Sequence, residues 1–397
     1  MNDIRFNRGV GGLGRPLAGK DHVSGFLGFT KNDDLPAGFS TTERVKKVFS
    51  LEEAIALGIV SDTGVIEITE MYYAIKTAFE ANKAVELYVA FYELTGTTTL
   101  STDLSKIIEV QRYAQGEIRQ IGVLNPNIVF ASAQVTALQT ACNTLEAEHK
   151  PISVIYSADF QVAVLANLPD LRALSCKNVS VTIGADGGGL GLIIANAEGF
   201  YPSIVGLTIG VASLAKVNEN IGWVGRFDVS SNPNNEFDVP AFANGDLIRN
   251  TATGLIESLN TKGYIFLIKH IGTAGTYFND AHTAITETSD YAYLENNRTI
   301  DKAVRNCRTY LLPSLNAPLY VNPDGTLTED TILSFRNNTA RALEEMQRNG
   351  EISAFEVTIN PTQNVLSTSR IAINVKIVPV GVARNIEVNI GFAVKVG

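Results

Sequence analysis

Cysteine and histidine are scarce in this chain, and neither is arranged for chemistry. Cys142, Cys176 and Cys307 stand far apart, odd in number, with no C-x-x-C pair. That excludes a zinc ribbon and a disulfide framework and fits a reducing compartment. His22, His149, His270 and His282 form no H-x-x-x-H pair, so no metal site is indicated. Charge is thin as well: charged residues are 18% of 397, with 32 basic against 41 acidic side chains. The net charge of −9 argues against a surface devoted to nucleic acid, which draws on clustered cations. Long apolar runs are missing. The strongest, SIVGLTIGVASLA (203–215), is shorter than the ~20 residues a bilayer span requires, and reads as a buried helix. MNDIRFNRGVGG lacks the apolar stretch of an export signal, so folding is expected in the cytoplasm of the cell that makes the protein.

Catalytic signatures are missing too. No G-x-S-x-G occurs, and pairs such as Glu344–Glu345 fall on a solvated helix face. No catalytic, cofactor-binding or metal-ligating residue is assigned, and no enzyme is expected. Three glycine-rich segments invite a phosphate. GVGGLG (9–14) matches G-x-G-x-x-G, but Arg15–Pro16 follow where a helix with free amides is needed. GRPLAGKD (14–21) is a near miss of the P-loop, with Asp21 where Ser or Thr would bind Mg²⁺. ADGGGLG (185–191) is better placed, between a strand and a helical stretch, yet has no lysine. A nucleotide-binding protein using 14–20 or 187–191 is therefore the rival from the enzyme class.

What is present is a packed core and an alternation of elements. A hydrophobic fraction of 45% over this length supports two or three structural units. Residues 1–40 read as irregular, with Ile4 and Phe6 hinting at a short strand before the glycines. From 50 to 240, helical segments (50–58, 71–83, 103–115, 133–149, 190–217) alternate with strands (85–94, 118–124, 151–157, 178–185). This predicts an α/β fold, a mixed or parallel sheet flanked by helices. Residues 225–297 are loop-rich, with one strand at 264–271.

The last hundred residues say most. In 298–312, Ile300, Val304, Cys307 and Leu311 share one face, and Arg298, Lys302, Arg305 and Arg308 form a basic stripe opposite it. That stripe is either a solvated face or a docking surface for an acidic partner. Thr326 and Glu329 fit a capping box for a helix ending at Gly350. Strands follow at 354–359, 370–378 and 386–396. The third alternates Ile386, Val388, Ile390, Phe392, Val394 and Val396 without a break. Such a strand needs partners: either the domain's own sheet, or a neighbouring copy to which it is donated.

NRTIDKAVRNCRTYLLPSLNAPLYVNPDGTLTEDTI and EMQRNGEISAFEVTINPTQNVLSTSRIAINVKIVPVGVARNIEVNIGFAV resemble the C-terminal domain of contractile tail sheath proteins of phages and injection systems. GGLGRPLAGKDHVSGFLGF is similar to the start of a sheath subfamily. The resemblance implies a chain divided into an N-terminal arm and linker (1–40), an α/β domain (41–225), a connecting region (226–297), a sheath C-terminal domain (298–378) and a C-terminal strand arm (379–397). It implies a virion tail or injection-device particle, assembled in the bacterial cytoplasm, in which sixfold rings of this chain stack around a tail tube. Tube, baseplate and tail terminator proteins are the implied partners, with no nucleic acid and no membrane insertion. Ile4, Phe6, Ile386, Val388, Ile390, Phe392 and Val394 become donated-strand residues. Arg298, Lys302, Arg305 and Arg308 become a candidate tube contact, in competition with Arg336, Arg341 and Arg348. A non-contractile fibre or shell subunit with the same strand exchange is the other alternative.

Overall fold

The computed structural model describes residues 20–61, 63–94, 100–231 and 236–392. Seven strands build its central sheet: β1 (Val23–Phe29), β2 (Val45–Val48), β3 (Glu86–Tyr92), β4 (Gln120–Val129), β5 (Ser153–Asp159), β6 (Val179–Thr182) and β7 (Tyr264–Ile265). Their spatial order is β7-β6-β5-β4-β1-β3-β2, all parallel except the edge strand β2. Successive side chains feed opposite cores, as the pleat requires: Phe26 packs on one face and Leu27 on the other. Helices α1 (Ile66–Ala81) and α3 (Val205–Leu214) cover the first face, and α2 (Ser132–Ala147) the second. The fold is mixed α/β, as the alternation predicts.

The apolar stretch 203–215 supplies α3, buried on nearly every side. It crosses α1 at two glycines. A Cβ on Gly206 would lie 2.2 Å from the Ala74 carbonyl oxygen, so only glycine allows the two backbones this close.

Three expectations need correction. Residues 23–29 are not part of an irregular arm but the strand at the sheet's interior, between β3 and β4. Its glycines mislead because they serve packing: a Cβ on Gly28 would meet Met71 of α1 at 2.8 Å. The sheet also reaches past 225, since β7 comes from 264–265. The strand expected over 264–271 is broken there, and Leu267–Ile268 turns away to pair with Tyr277–Phe278.

The C-terminal part consists of α4 (Leu294–Leu311), α5 (Glu329–Arg348) and an antiparallel ribbon of β8 (Ile352–Ile359) and β9 (Ile373–Pro379). Their shared core is small: Ala303, Leu343, Met346 and Ile352, with Cys307, Phe355, Val357 and Ile377 half-buried around it. The cap of α5 is Thr328, which accepts from the Thr331 amide, rather than Thr326, whose hydroxyl is held by Asp324 in the preceding turn. The expected apolar face of α4 is only partly covered, with Val304 49% exposed.

Candidate assembly interface

A two-stranded ribbon is marginal by itself, and both outer edges of this one lack a partner among the described residues. Phe355, Val357 and Ile359 of β8 stand opposite Ile377, Val375 and Ile373 of β9. Paired residues share a face, so this face is apolar from end to end. Only its root reaches the small C-terminal core. The other face carries Glu356 opposite Lys376, an exposed pair at 3.6 Å that contributes little.

The chain then leaves the ribbon. Over 386–392 it has the alternation of a strand and pairs with no described residue. Ile386, Val388, Ile390 and Phe392 are 81%, 68%, 91% and 112% exposed. Alternating positions point to one side of an extended chain, so the segment presents an apolar face without cover. Val394, Ile4 and Phe6 lie outside the described residues.

Arg384 fixes the root of this segment. Its Nε donates to Asp280 Oδ2 at 2.8 Å, its Nη2 donates to Glu295 Oε1, and its guanidinium lies 3.3 Å from the centre of the Tyr293 ring. Asn220 Nδ2 supports both acids, donating to Asp280 Oδ1 at 2.5 Å and to Glu295 Oε1 at 3.1 Å. Burial pushes the Glu295 carboxyl above the ordinary range, a rise that Arg384 only partly offsets. His282 nearby is driven down to about 4 by burial, so it is neutral and accepts from Arg172 while bonding Asn260 through its other nitrogen.

A second charge cluster fixes the other end of the described chain. Lys20 pairs with Glu117, and Asp21 Oδ2 accepts from Lys302 at 2.6 Å with Arg305 at 3.8 Å. Lys302 also donates to Glu351, just before β8, at 2.6 Å.

The basic stripe is not an open surface. Arg298 is 3% exposed and donates to the carbonyls of Ala215 and Lys216 at 3.1 and 3.2 Å. Burial lowers its pKa to about 10, which leaves it charged at neutral pH. Lys302 and Arg305 are turned toward Asp21, and Arg308 alone of the four is exposed. The polar side of α4 is thus its docked side, because buried carboxylates and carbonyls await those cations. Arg336, Arg341 and Arg348 of α5 are exposed and form no ion pair with a described residue.

The best-placed glycine loop is occupied by its own chain. Asp186 accepts from the amides of Gly188, Gly189, Gly191 and Phe237 at 3.0–3.3 Å. Those donors would have to hold a phosphate at 187–191, and a carboxylate already holds them. Of the near P-loop, Lys20 is engaged by Glu117, and 14–19 lie outside the described residues. Among the described residues no cluster of His, Cys, Asp and Glu could hold a metal ion, and no helix is long and apolar enough to cross a membrane.

Residues 1–282 match the N-terminal domain of DUF2586, and residues 290–397 match its C-terminal domain. The chain belongs to the DUF2586 family. No curated protein sequence matches it. Solved structures share its fold from end to end. One, titled the cryo-EM structure of the anti-feeding prophage (AFP) baseplate, 6-fold symmetrised, is 15% identical with a TM-score of 0.60, covering 99% of both chains. A second, titled an extracellular contractile injection system, PVC sheath complex in contracted state, is 12% identical with a TM-score of 0.62, covering 99% of this chain and 98% of that one. A third, titled the AFP baseplate in contracted state, is 13% identical with a TM-score of 0.58, covering 98% of each. At such identities the likeness concerns the fold.

Proposed function

We propose that this protein is a structural subunit of a contractile injection system or phage tail, a sheath subunit that polymerises around a tail tube and contracts to drive it through a cell envelope. One observation carries the reading: an apolar alternating segment, uncovered by any described residue over 386–392, follows in the chain a ribbon whose outer edges pair with no other described strand. An extended segment completes such an edge by adding a strand, with the backbone giving affinity and alternate side chains giving register. Donated by one copy to the next, Ile386, Val388, Ile390, Phe392 and Val394 link subunits into rings and stacked rings, with Ile4 and Phe6 as the N-terminal counterpart. The whole-chain likeness to structures titled as injection-system baseplate and sheath supports this. The partners are then further copies of this chain, the tube, and baseplate and terminator proteins, within a particle. Function resides in interfaces and needs no catalytic group. For the tube contact, Arg308 with Arg336, Arg341 and Arg348 offers exposed charge that pairs with no described acid, whereas Arg298, Lys302 and Arg305 are committed internally.

Deleting 386–397 is expected to leave a folded, soluble subunit that forms no polymer in negative-stain microscopy; tubular polymers from the truncated chain refute strand donation. Two of the three structures named above are titled as baseplate structures, which favours a baseplate subunit as second reading. Long tubes in two states of different pitch and diameter mark a sheath, and short collars of fixed size a baseplate piece.

A further inference from the structure

We propose that α4 is the shared anchor of both terminal segments, holding Arg384 through Glu295 in its first turn and Asp21 through Lys302 and Arg305 two turns on. The inference rests on the strand-donation reading and adds what stays behind when a strand is donated. Three features support it. The Arg384 clasp is built rather than incidental: two carboxylates from separate elements, one of them fully buried, and an aromatic face converge on a single guanidinium. Asn220 also donates to both carboxylates, to the Asp280 oxygen that Arg384 leaves free and to the Glu295 oxygen that Arg384 shares, so a residue outside the arm ties the two acids together. The clasp also sits immediately before the uncovered residues, so 386–392 swing from a fixed point.

Glu295 and Lys302 are seven residues apart, about 10 Å along one helix at 1.5 Å per residue. Arg298, between them, ties α4 to the carbonyls that follow α3. Tension on the C-terminal segment therefore enters α4 at its first turn, passes to the sheet domain through Arg298, and reaches the N-terminal segment through Lys302. A lattice linked this way has a continuous load path through each subunit. Arms rooted in separate elements would pull the subunit apart instead.

Three measurements test this. In the free subunit, trypsin is expected to cut after Arg384 at least tenfold more slowly than after the exposed Arg370. Asp280→Asn with Glu295→Gln is expected to remove that protection, with unchanged circular dichroism as the check on folding. Equal cutting at the two arginines in the unaltered chain overturns the clasp. In the polymer, Arg384→Cys and Glu295→Cys are bridged by a short bismaleimide in a Cys307→Ser background. Bridged subunits are expected to enter polymers as readily as unbridged ones, because the root does not move. Exclusion of bridged subunits overturns the anchor while leaving donation intact, whereas polymers formed without 386–397 overturn donation itself. For the other root, Lys302→Met is expected to raise amide hydrogen exchange at residues 21–22 severalfold, and unchanged exchange overturns that half.

Discussion

Replacing Lys302 by Met tests the electrostatics on which the C-terminal architecture depends. The substitution keeps most of the apolar stem and deletes one ammonium. That ammonium lies 2.6 Å from Asp21 and 2.6 Å from Glu351. The two acids do not suffer equally. Asp21 keeps Arg305 at 3.8 Å and a side chain one-quarter exposed, so water and a second cation take part of its charge. Glu351 has a side chain 7% exposed, and its other oxygen has no partner. Breaking a fully buried pair costs about 3–5 kcal/mol, and partial exposure of Asp21 and Lys302 reduces this to about 2–3 kcal/mol. Urea unfolding at pH 7 reads this directly, and a cycle with Glu351→Gln isolates the pair, with a coupling of about 1–2 kcal/mol expected.

Acid titration adds a sign. Burial pushes the Asp21 carboxyl up, but Lys302 and Arg305 pull it further down, to below its ordinary 3.8. A carboxylate with a depressed folded pKa contributes stability above its unfolded value and loses it as pH falls through the folded one. The advantage of the unaltered chain over Lys302→Met is therefore complete at neutral pH and closes below about pH 4. A variant within about 0.5 kcal/mol of the parent at pH 7, the ordinary range for surface changes, would refute the network as a structural element.

Further outcomes follow from other sites. Gly206→Ala drives a methyl into the Ala74 carbonyl and is expected to lower stability by about 3 kcal/mol, the upper end for overpacking, read by thermal unfolding. Burial raises the Glu70 carboxyl to about 7 despite bonds from the Ser203 amide and hydroxyl, so its contribution is full below 4.5 and lost as pH rises through 7. Urea unfolding between pH 5 and 8 is expected to show a decline of up to about 3 kcal/mol that Glu70→Gln flattens. Reversing Arg336, Arg341 and Arg348 to Glu is expected to leave subunit stability within about 0.5 kcal/mol and to abolish co-sedimentation with tube.

The α/β alternation was legible because each helix and strand of the sheet domain buries a face and carries the matching period. β1 was not, because glycines that permit close helix packing look the same in one dimension as glycines that permit turns. Gly28, packed against Met71 of α1, is of the first kind, and Gly325 at φ +81°, in the turn before α5, is of the second. The stripe on α4 lies along one face, as its spacing implies, but three of its four cations face internal partners rather than solvent. Sequence spacing shows which residues share a face but not what that face meets, and Asp21, Glu351 and the carbonyls after α3 come from distant parts of the chain. The Arg384 clasp left no local signal at all: its partners lie about ninety to a hundred residues away, in a loop and a helix start. By contrast, the uncovered segment was visible because alternation is local and owes nothing to a partner.

If 386–392 is donated as proposed, the same alternation gives a reason why free subunits would not pair before they meet a growing lattice. Burying Ile386, Val388, Ile390 and Phe392 yields roughly 1.5–3 kcal/mol each, about 6–12 kcal/mol in all. Ordering the seven backbone residues 386–392 costs roughly 1–2 kcal/mol apiece, about 7–14 kcal/mol. The two nearly cancel, so one arm entering one ribbon leaves only its ladder hydrogen bonds and the pre-set exit point at Arg384 to favour the join. Two free copies meeting in solution gain too little to stay together. A copy added to a growing ring engages more than one neighbour, and each later strand joins intramolecularly at high effective concentration. Weak single arms and strong lattices are then one property of the chain, and it places nucleation on a template rather than on chance encounters between subunits.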